Sequence, residues 1–364
     1  MKILLTKQFL YGKIVVGGNI MGTYYDGTKL LSLLDLNGNK PEIFLCTTNR
    51  TGGKTTYFSR LLMNRFFNQG EKFCLIYRYK YELSDVADKF YKDIRNLFFP
   101  DTLMTAKVRA KGIYCDLYVN DKHCGYAIAL NCAEQIKKYS HLFSDVKTMY
   151  FDEFQSETNE YCPNEINKFH SVHTSIARGK SEQVRYVPVY MTANPISMIN
   201  PYYTALGISE RLNEKTKFIK GDGFVLEQGY VESASLAQKE SGFNRAFSKT
   251  AYSAYASEGV YLNDNKAFIE KPDGFPRYIA TLKYNGCEYG IREYSELGIV
   301  YCDNKADRTF PVRISVTTDD HNINYVMLKR NDLFLANLRY YFERGCFRFK
   351  DLKCKEAVLK ALSY

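Results

Sequence analysis

Between residues 40 and 205, short apolar runs alternate with segments in which apolar residues recur at helical spacing. Such short runs are typical of strands buried on both faces, and the helical segments are long enough to connect parallel strands. We therefore predict an α/β fold with a mostly parallel sheet. The predicted strands are Ile43–Cys46, Phe73–Tyr77, Val146–Phe151 and Arg185–Thr192, the predicted helices are Thr55–Asn68, Leu83–Phe98, Cys132–Tyr139 and Glu165–Ala177, and a predicted hairpin joins Val108–Val119 to Gly125–Leu130.

Beyond about residue 208 the pattern changes, because charged residues and a Gly-Asp-Gly breaker at 221–223 interrupt it. We place a linker at residues 208–222, between a first domain of residues 1–207 and a second domain of residues 223–364. The second domain is predicted to be α+β, with an antiparallel meander followed by basic helices. Its predicted elements are a helical stretch at Glu232–Phe247, the strands Tyr278–Tyr284, Glu288–Glu293, Gly298–Cys302 and Val312–Thr317, and the helices after Lys329.

The composition is that of an ordinary globular protein, with 45% hydrophobic and 25% charged residues among 364. Every apolar run is far shorter than the roughly 20 residues that span a bilayer, and the apolar stretch after Met1 is too brief for a signal peptide. We therefore expect a cytosolic protein that does not associate with membranes. The ten cysteines form no Cys-x-x-Cys pair, which favours reduced thiols over a zinc site or a disulfide scaffold.

Positive charge is concentrated near the C-terminus of a chain whose net charge is +10. Residues 329–360 contain nine Lys or Arg against four acids, with five aromatic residues between Tyr340 and Phe349. Such a region suits nucleic acid or a partner loaded with nucleic acid. An amphipathic helix whose aromatic side chains pack inward explains the pattern equally well.

The segment Thr48–Thr55 fits the phosphate-loop motif Gly-x-x-x-x-Gly-Lys-Ser/Thr except at its first position, where Thr48 replaces glycine. In such a loop, backbone amides curve round phosphate oxygens at the start of a helix. Lys54 is expected to reach the β- and γ-phosphates of ATP, and the Thr55 hydroxyl to bind Mg²⁺. A plain strand-to-helix turn is the alternative. The predicted nucleotide-binding residues are Asn49, Arg50, Thr51, Gly52, Gly53, Lys54, Thr55 and Thr56.

The predicted strand Val146–Phe151 ends in the acidic pair Asp152–Glu153. The carboxyl end of a parallel strand lies at the edge where α/β sheets bind ligands. Asp152 is expected to hold Mg²⁺, and Glu153 to orient and deprotonate the attacking water. A glutamate directly after the aspartate indicates the branch of P-loop ATPases that has an additional sheet strand. Asn194, after the next strand, is predicted to sense the γ-phosphate or else to cap a turn before proline.

Arginines can supply the extra positive charge that phosphoryl transfer needs. Arg50 lies within the loop, where it can reach phosphates in its own subunit or an adjoining one. Arg178 follows a predicted helix and precedes a glycine, so it is a candidate to project into a neighbour's site. A simpler role for Arg178 is a helix-terminal cation that interacts with the helix dipole. Arg78, just past the second strand, is a weaker candidate.

These motifs resemble those of the DNA-encapsidation ATPases of small short-tailed phages, which are related to the terminase large subunits. The resemblance rests on Thr47–Thr56, Val146–Phe154 and Thr192–Tyr203. It implies a homo-oligomeric ring motor, pentameric in form, that docks on a capsid portal and moves double-stranded DNA inward, with a packaging RNA as a further candidate partner. It places the protein in the cytoplasm of the infected host cell, transiently attached to the capsid. It also assigns Asn194 to the coupling motif and makes Arg178 the better trans-acting arginine.

The resemblance further implies a ribonuclease-H-like second domain. In large terminases such a domain cuts DNA with metals held by clustered carboxylates. The first predicted strand of the meander contains no acid, and Asp303, Asp307, Asp319 and Asp320 remain as candidates. We therefore predict a vestigial nuclease domain that binds nucleic acid or the portal without cutting. The competing functions are a helicase or recombinase-like ATPase, a terminase with an active nuclease, and a nucleotide switch that does not hydrolyse ATP.

Overall fold

The computed structural model describes residues 8–10, 13–16, 19–158, 160–179, 183–198, 200–209, 211–212, 216–248, 250–258, 261–262, 267–329 and 331–362. Its strands are β1 Gln8–Leu10, β2 Lys13–Val16, β3 Asn19–Thr23, β4 Ile43–Thr47, β5 Lys72–Tyr77, β6 Met104–Arg109, β7 Tyr114–Val119, β8 Lys122–Ala129, β9 Val146–Asp152, β10 Val189–Ala193, β11 Phe218–Gly221, β12 Phe224–Gln228, β13 Arg277–Tyr284, β14 Cys287–Tyr294, β15 Ile299–Asp303, β16 Arg313–Ser315 and β17 Phe347–Phe349. Its helices are α1 Thr28–Ser32, α2 Lys54–Gln69, α3 Val86–Phe98, α4 Ala133–Ile136, α5 Glu165–Ala177, α6 Pro201–Ala205, α7 Glu232–Glu240, α8 Gly242–Ala246, α9 Ala251–Glu258, α10 Leu333–Glu343 and α11 Leu352–Leu362.

The chain divides into two compact units. The first comprises Met1–Ile196 and Arg211–Leu262, and the second comprises Ser197–Glu210 and Asn263–Tyr364. Among the described residues, no helix is both long enough and apolar enough to cross a membrane.

A mixed sheet forms the centre of the first unit. Within the described part of the chain it has nine strands in the order β11-β12-β4-β10-β9-β5-β8-β7-β6. The six strands from β12 to β8 run parallel to one another, whereas β11 pairs antiparallel with β12 at one side, and β7 and β6 extend the other side by antiparallel pairing. The short strands β1 to β3 pair separately in an antiparallel sheet.

Helix α2 packs its apolar face onto this sheet. Phe58, which is completely buried, lies 6.1 Å from the ring of Tyr150 on β9 and 5.3 Å from the ring of Tyr190 on β10. The helix ends at Gly70, whose φ of 69° permits the left-handed conformation common at helix ends. Burial of the phenylalanine fixes the start of α2, and with it the loop before α2, against the strand ends.

The second unit contains its own core. Within the described residues, its sheet has five strands in the order β16-β13-β14-β15-β17. Helix α11 buries Cys354, Ala357 and Val358 against this sheet. Strands β13, β14 and β15 pair antiparallel, as predicted, but β16 pairs with β13 in parallel. The predicted antiparallel meander therefore ends at β15.

The division between the units differs from the predicted boundary. Residues 211–222 do not form a linker. Residues 223–262 belong to the first unit, and their predicted place in the second domain was wrong. β12 pairs in parallel with β4, and β11 pairs with β12, so this segment completes the large sheet of the first unit. The partner of β12 lies far away in the chain, and local sequence patterns do not reveal such a pairing.

Two further predicted elements are interrupted. The predicted strand Val108–Val119 is broken by a turn in which Ala110, Lys111 and Gly112 have positive φ. The predicted helical stretch Glu232–Phe247 is broken at Ser241, which is extended and accepts a hydrogen bond from the N–H of Asn244 to begin α8.

Candidate active site

Strands β4, β10 and β9 end side by side at one edge of the large sheet. Ala193 at the end of β10 is in register with Thr47 at the end of β4. Thr192 is in register with Asp152 at the end of β9. The phosphate-loop segment, Asn194 and the acidic pair therefore follow three adjacent strand ends, at the edge where open α/β sheets bind ligands.

The loop after β4 reverses sharply into α2. Gly53, directly before the helix, has a left-handed φ of 89°, and Thr51 has a φ of 59°. A Cβ atom added to Gly53 would lie 3.0 Å from the ring of Tyr24, and one added to Gly52 would lie 3.0 Å from the hydroxyl of Thr48. Gly53 therefore suits the left-handed conformation of this turn, and the missing side chains of both glycines leave room for backbone amides to face a ligand in front of the helix.

Thr48 occupies the position that the motif gives to glycine. The side chain is buried, and the backbone N–H donates to the carbonyl of Ala193 at 3.4 Å. A Cβ atom on Gly229 would lie 3.0 Å from the Thr48 methyl group. The missing side chain of Gly229 thus leaves the space that a threonine needs here, which explains how the loop accommodates the departure from the motif.

Asn49 anchors the loop to the segment that follows β12. Its amide nitrogen donates to the carbonyl of Val231 at 3.1 Å, and its amide oxygen accepts from the Val231 N–H at 2.9 Å. The residue is fully buried, so its side chain is committed to this clamp and not to a nucleotide. Two further hydrogen bonds hold the same loop, from the N–H of Tyr25 to the Gly52 carbonyl at 2.8 Å and from the Gln238 side chain to the Thr51 hydroxyl at 3.3 Å.

Lys54 joins the loop to the end of β10. Its Nζ donates to Oδ1 of Asn194 at 2.6 Å, and only 7% of the residue is exposed. Burial lowers the pKa of Lys54, and the nearby Asp152 acts in the opposite direction. A buried ammonium with few partners gains strongly from a new anion. The arrangement therefore favours a phosphate group beside Lys54 and Asn194.

Asp152 and Thr55 face the same space. Oδ1 of Asp152 accepts hydrogen bonds from the Thr192 hydroxyl and from the N–H of Glu153, the latter at 3.0 Å. Thr55, Asp152 and Glu153 all line a cavity of about 320 Å³. Hydroxyl and carboxylate oxygens are the ligands that Mg²⁺ prefers, so these residues fit a magnesium-bound triphosphate. Thr56 is half-buried in the first turn of α2.

Glu153 has a strained backbone and a perturbed carboxyl group. Its φ is 56°, a conformation that costs a non-glycine residue about 1–3 kcal/mol and clusters at functional sites. Although the residue is exposed, surrounding atoms desolvate its carboxylate, and this desolvation, followed by the charge of Asp152, raises the pKa of Glu153. A raised pKa brings a carboxylate closer to the range of an effective general base.

Arg78 holds the turn that carries Glu153. Its guanidinium donates to the Phe154 carbonyl at 2.8 Å, and its Nε donates to the carboxylate of Glu165 at 3.0 Å. Arg78 is buried beneath the turn. The weaker arginine candidate of the sequence is therefore placed to position Glu153.

Arg50 turns away from the start of α2. Its Nη1 donates to Glu157 at 2.8 Å and to the hydroxyl of Tyr252 on α9. The side chain is about one third exposed. Arg50 nevertheless lines a cavity of about 270 Å³ together with Glu153 and Asn194, so it borders the site from the side.

Arg178 lies at the opposite edge of the sheet. The N–H of Arg185 donates to the carbonyl of Ala177, at the end of α5, and the Arg185 guanidinium donates to the carbonyl of Val146. Val146 begins β9, whose seven residues span about 20 Å before the acidic pair is reached. Arg178 is exposed there and is remote from the site of its own chain.

Several residues of the site escaped the sequence analysis. Thr192 carried a usable signal, because a threonine close to the end of an apolar strand is placed to contact the residue beside it on the next strand. Val231, Glu157 and Tyr252 carried none. Each contacts the phosphate loop from a segment more than a hundred positions away.

Comparison with known proteins gives a consistent result. Residues 21–362 match the family described as podovirus DNA encapsidation protein (Gp16). The DNA packaging protein of Bacillus phage phi29 is 27% identical over 303 residues, which are 82% of this chain and 86% of that protein.

Two solved structures are similar over nearly the whole chain. The bacteriophage phi29 viral genome packaging motor assembly contains a chain with a TM-score of 0.57 and 25% identity, covering 94% of this chain and 97% of that chain. The Phi-28 gp11 DNA packaging motor has the same fold, with a TM-score of 0.57 and 18% identity over 94% of this chain and 98% of that chain. The chain belongs to the podovirus DNA encapsidation protein (Gp16) family.

Proposed function

We propose that this protein is an ATP-driven motor that moves double-stranded viral DNA into a preformed capsid. The observation that carries the ATPase part is the meeting of Lys54, Asn194 and the pair Asp152–Glu153 at one sheet edge. β10 lies between β4 and β9, which supports a P-loop ATPase of the additional-strand, catalytic-glutamate type. Membership of the family and the names of the phi29 relatives support the packaging part.

The hydrolytic step follows from the positions of these groups. Loop amides at Gly52 and Gly53 and the Lys54 ammonium bind the phosphates of ATP. Glu153 accepts a proton from a water as that water attacks the γ-phosphorus, and the bond to the β-phosphate oxygen breaks to release ADP and phosphate. Mg²⁺, held through Thr55 and Asp152, supplies charge neutralisation of the phosphate oxygens when bound.

An arginine from a neighbouring subunit completes the site. Arg178 lies the length of a strand away from the acidic pair of its own chain, so it acts in trans in this proposal. That requires a ring in which each subunit presents Arg178 to the next subunit's phosphate loop. We propose a pentamer that docks on the capsid portal, in the host cytoplasm, with a packaging RNA as a further partner.

The second unit is proposed to be a ribonuclease-H-like domain that binds nucleic acid or the portal without cutting DNA. Three of its four candidate carboxylates are engaged in local structure. Asp303 pairs with Arg292, Asp307 accepts from the N–H and hydroxyl of Thr309, and Asp320 accepts from the N–H of Gly286. Arg292 neutralises the charge that metal binding at Asp303 would need, which disfavours a terminase with an active nuclease.

The ATPase assignment is tested with two substitutions. Glu153→Gln keeps the shape of the side chain but removes the base, so turnover should fall at least a hundredfold (about 10²–10⁴ for general base catalysis) while ATP binding remains. Lys54→Ala should abolish binding. ATPase rates with and without double-stranded DNA and empty capsids test the motor. Full turnover by Glu153→Gln would refute the catalytic assignment, and rates indifferent to DNA and capsids would favour a nucleotide switch.

A further inference from the structure

The phosphate-loop arginine is tied to a helix that follows it by two hundred positions. Nη1 of Arg50 lies 2.8 Å from Oε1 of Glu157 and also donates to the hydroxyl of Tyr252 on α9. The same Oε1 of Glu157 accepts a hydrogen bond from the hydroxyl of Tyr255 at 3.0 Å. Glu157 therefore connects the loop arginine with two tyrosines of one helix.

These tyrosines belong to a part of α9 that rests on the strand-end turns. Tyr255 is completely buried and clusters with Ile196 and Leu262. The N–H of Ile196 donates to Gln155 at 3.1 Å, two residues before Glu157. The turn after the acidic pair, the turn after Asn194 and α9 are thus packed as one group beside the phosphate loop.

A phosphate group can replace Glu157 as the partner of Arg50. About 35% of the Arg50 side chain and 42% of the Glu157 side chain are exposed, and ion pairs this exposed contribute little to stability. A phosphate group offers a guanidinium more charge and paired, parallel hydrogen bonds. Arg50 and Glu153 line the same cavity, so a phosphate bound there competes directly with Glu157 for the arginine.

We propose that Glu157 is a positioning residue that holds Arg50 off the phosphates until a nucleotide binds. Transfer of Arg50 to the phosphates then breaks its contacts with Glu157 and Tyr252, so that occupancy of the site is communicated to α9. This inference rests on the proposed nucleotide site. It makes the loop arginine a reporter of phosphate as well as a ligand for it.

The test measures the affinity of the full-length chain for Mg²⁺–ATPγS. Removing the competitor in Glu157→Gln should tighten binding about twofold to fivefold, the range expected for a half-exposed ion pair. In an Arg50→Ala background the same substitution should have no effect. Tyr252→Phe should tighten binding in the same direction, because it removes another partner of Arg50. The matched control is Glu160→Gln, which removes an exposed charge that lines the same cavity and should change affinity less than twofold.

Hydrogen exchange gives a second measurement. Mg²⁺–ATPγS should increase exchange of the α9 amides in the wild type, and Glu157→Gln should show the increase without nucleotide. Unchanged or weaker binding by Glu157→Gln overturns the proposal. An equal gain in the Arg50→Ala background or in Glu160→Gln also overturns it, because the effect is then general electrostatics. Lys54→Ala separates the two proposals, since undiminished binding by that variant refutes the nucleotide site itself.

Discussion

At the scale of single residues, Glu153 combines a strained backbone with a desolvated carboxylate. A general base must be ionised, and lowering the pH through its pKa protonates it. Because desolvation and then Asp152 raise the pKa of Glu153 above the ordinary 4.5, ATPase activity should be lost on acidification at a higher pH than an ordinary glutamate would give.

The measurement is kcat/KM for Mg²⁺–ATP across the acid range, with nucleotide affinity followed at the same pH values. The midpoint of the acid limb should lie above 4.5 while affinity and circular dichroism remain steady. A midpoint at or below that value would mean that the protein does not perturb Glu153 in solution, and a parallel loss of affinity would assign the limb to binding.

Asn49 illustrates a residue whose type the motif leaves open but whose packing is exacting. Asn49→Ala removes both hydrogen bonds to Val231 and leaves the buried N–H of that residue unpaired, whereas the Val231 carbonyl still accepts from the N–H of Ser235 at 3.1 Å. The unpaired N–H costs about 1–3 kcal/mol, and the loop loses its anchor. We expect a lower melting temperature and a raised Kd for Mg²⁺–ATPγS. The control is Thr51→Ala, which removes an exposed hydroxyl whose hydrogen bonds, to the Arg50 carbonyl and from Gln238, are open to solvent. It should lower the melting temperature distinctly less than Asn49→Ala.

At the scale of elements, α2 is the part that joins the site to the core. Phe58→Ala removes a completely buried ring between Tyr150 and Tyr190. The expected loss is about 3–5 kcal/mol of the free energy of unfolding of the first unit, measured by urea denaturation. Phe67→Ala on the same helix removes a ring that is 42% exposed and should cost distinctly less. Equal losses would contradict the burial difference.

The same scale explains which elements the sequence could predict. β9 and α5 are long, regular and bounded by clear signals, so their limits and the position of Asp152–Glu153 followed from the pattern. β12 is a short strand whose partner, β4, lies far away in the chain, and its membership of the large sheet is decided by tertiary pairing. The turn at Ala110–Lys111 uses residues that rarely take positive φ, so no local signal announced it.

The site divides in the same way. Lys54, Thr55 and Asp152 occupy fixed positions in contiguous motifs, and strand order brings them together without further information. The contact of Asn49 with Val231 joins residues 182 positions apart, and that of Arg50 with Glu157 joins residues 107 positions apart. Such pairs depend on how separate elements pack, and a single sequence carries no record of that packing.

At the scale of the whole molecule, the proposed trans role of Arg178 predicts that ATPase activity depends on the assembly. Arg178→Ala alone should lose about 10³–10⁵ of the rate, as for other arginine fingers, and Lys54→Ala alone should be inactive. In a mixture, an Arg178→Ala subunit still offers an intact phosphate loop, and a Lys54→Ala subunit still offers an intact arginine. Where the first receives the arginine of the second, the site is complete.

Random mixing in equal amounts creates such an interface at about a quarter of the positions in a symmetric ring, so ATPase activity should reappear on mixing. Mixing Arg178→Ala with the double variant Lys54→Ala/Arg178→Ala is the control and should restore nothing, because no intact arginine is present. If Arg178 acted within its own chain, neither mixture would recover activity. Recovery in the first mixture alone would therefore locate the arginine across a subunit boundary, in agreement with its place at the far edge of the sheet.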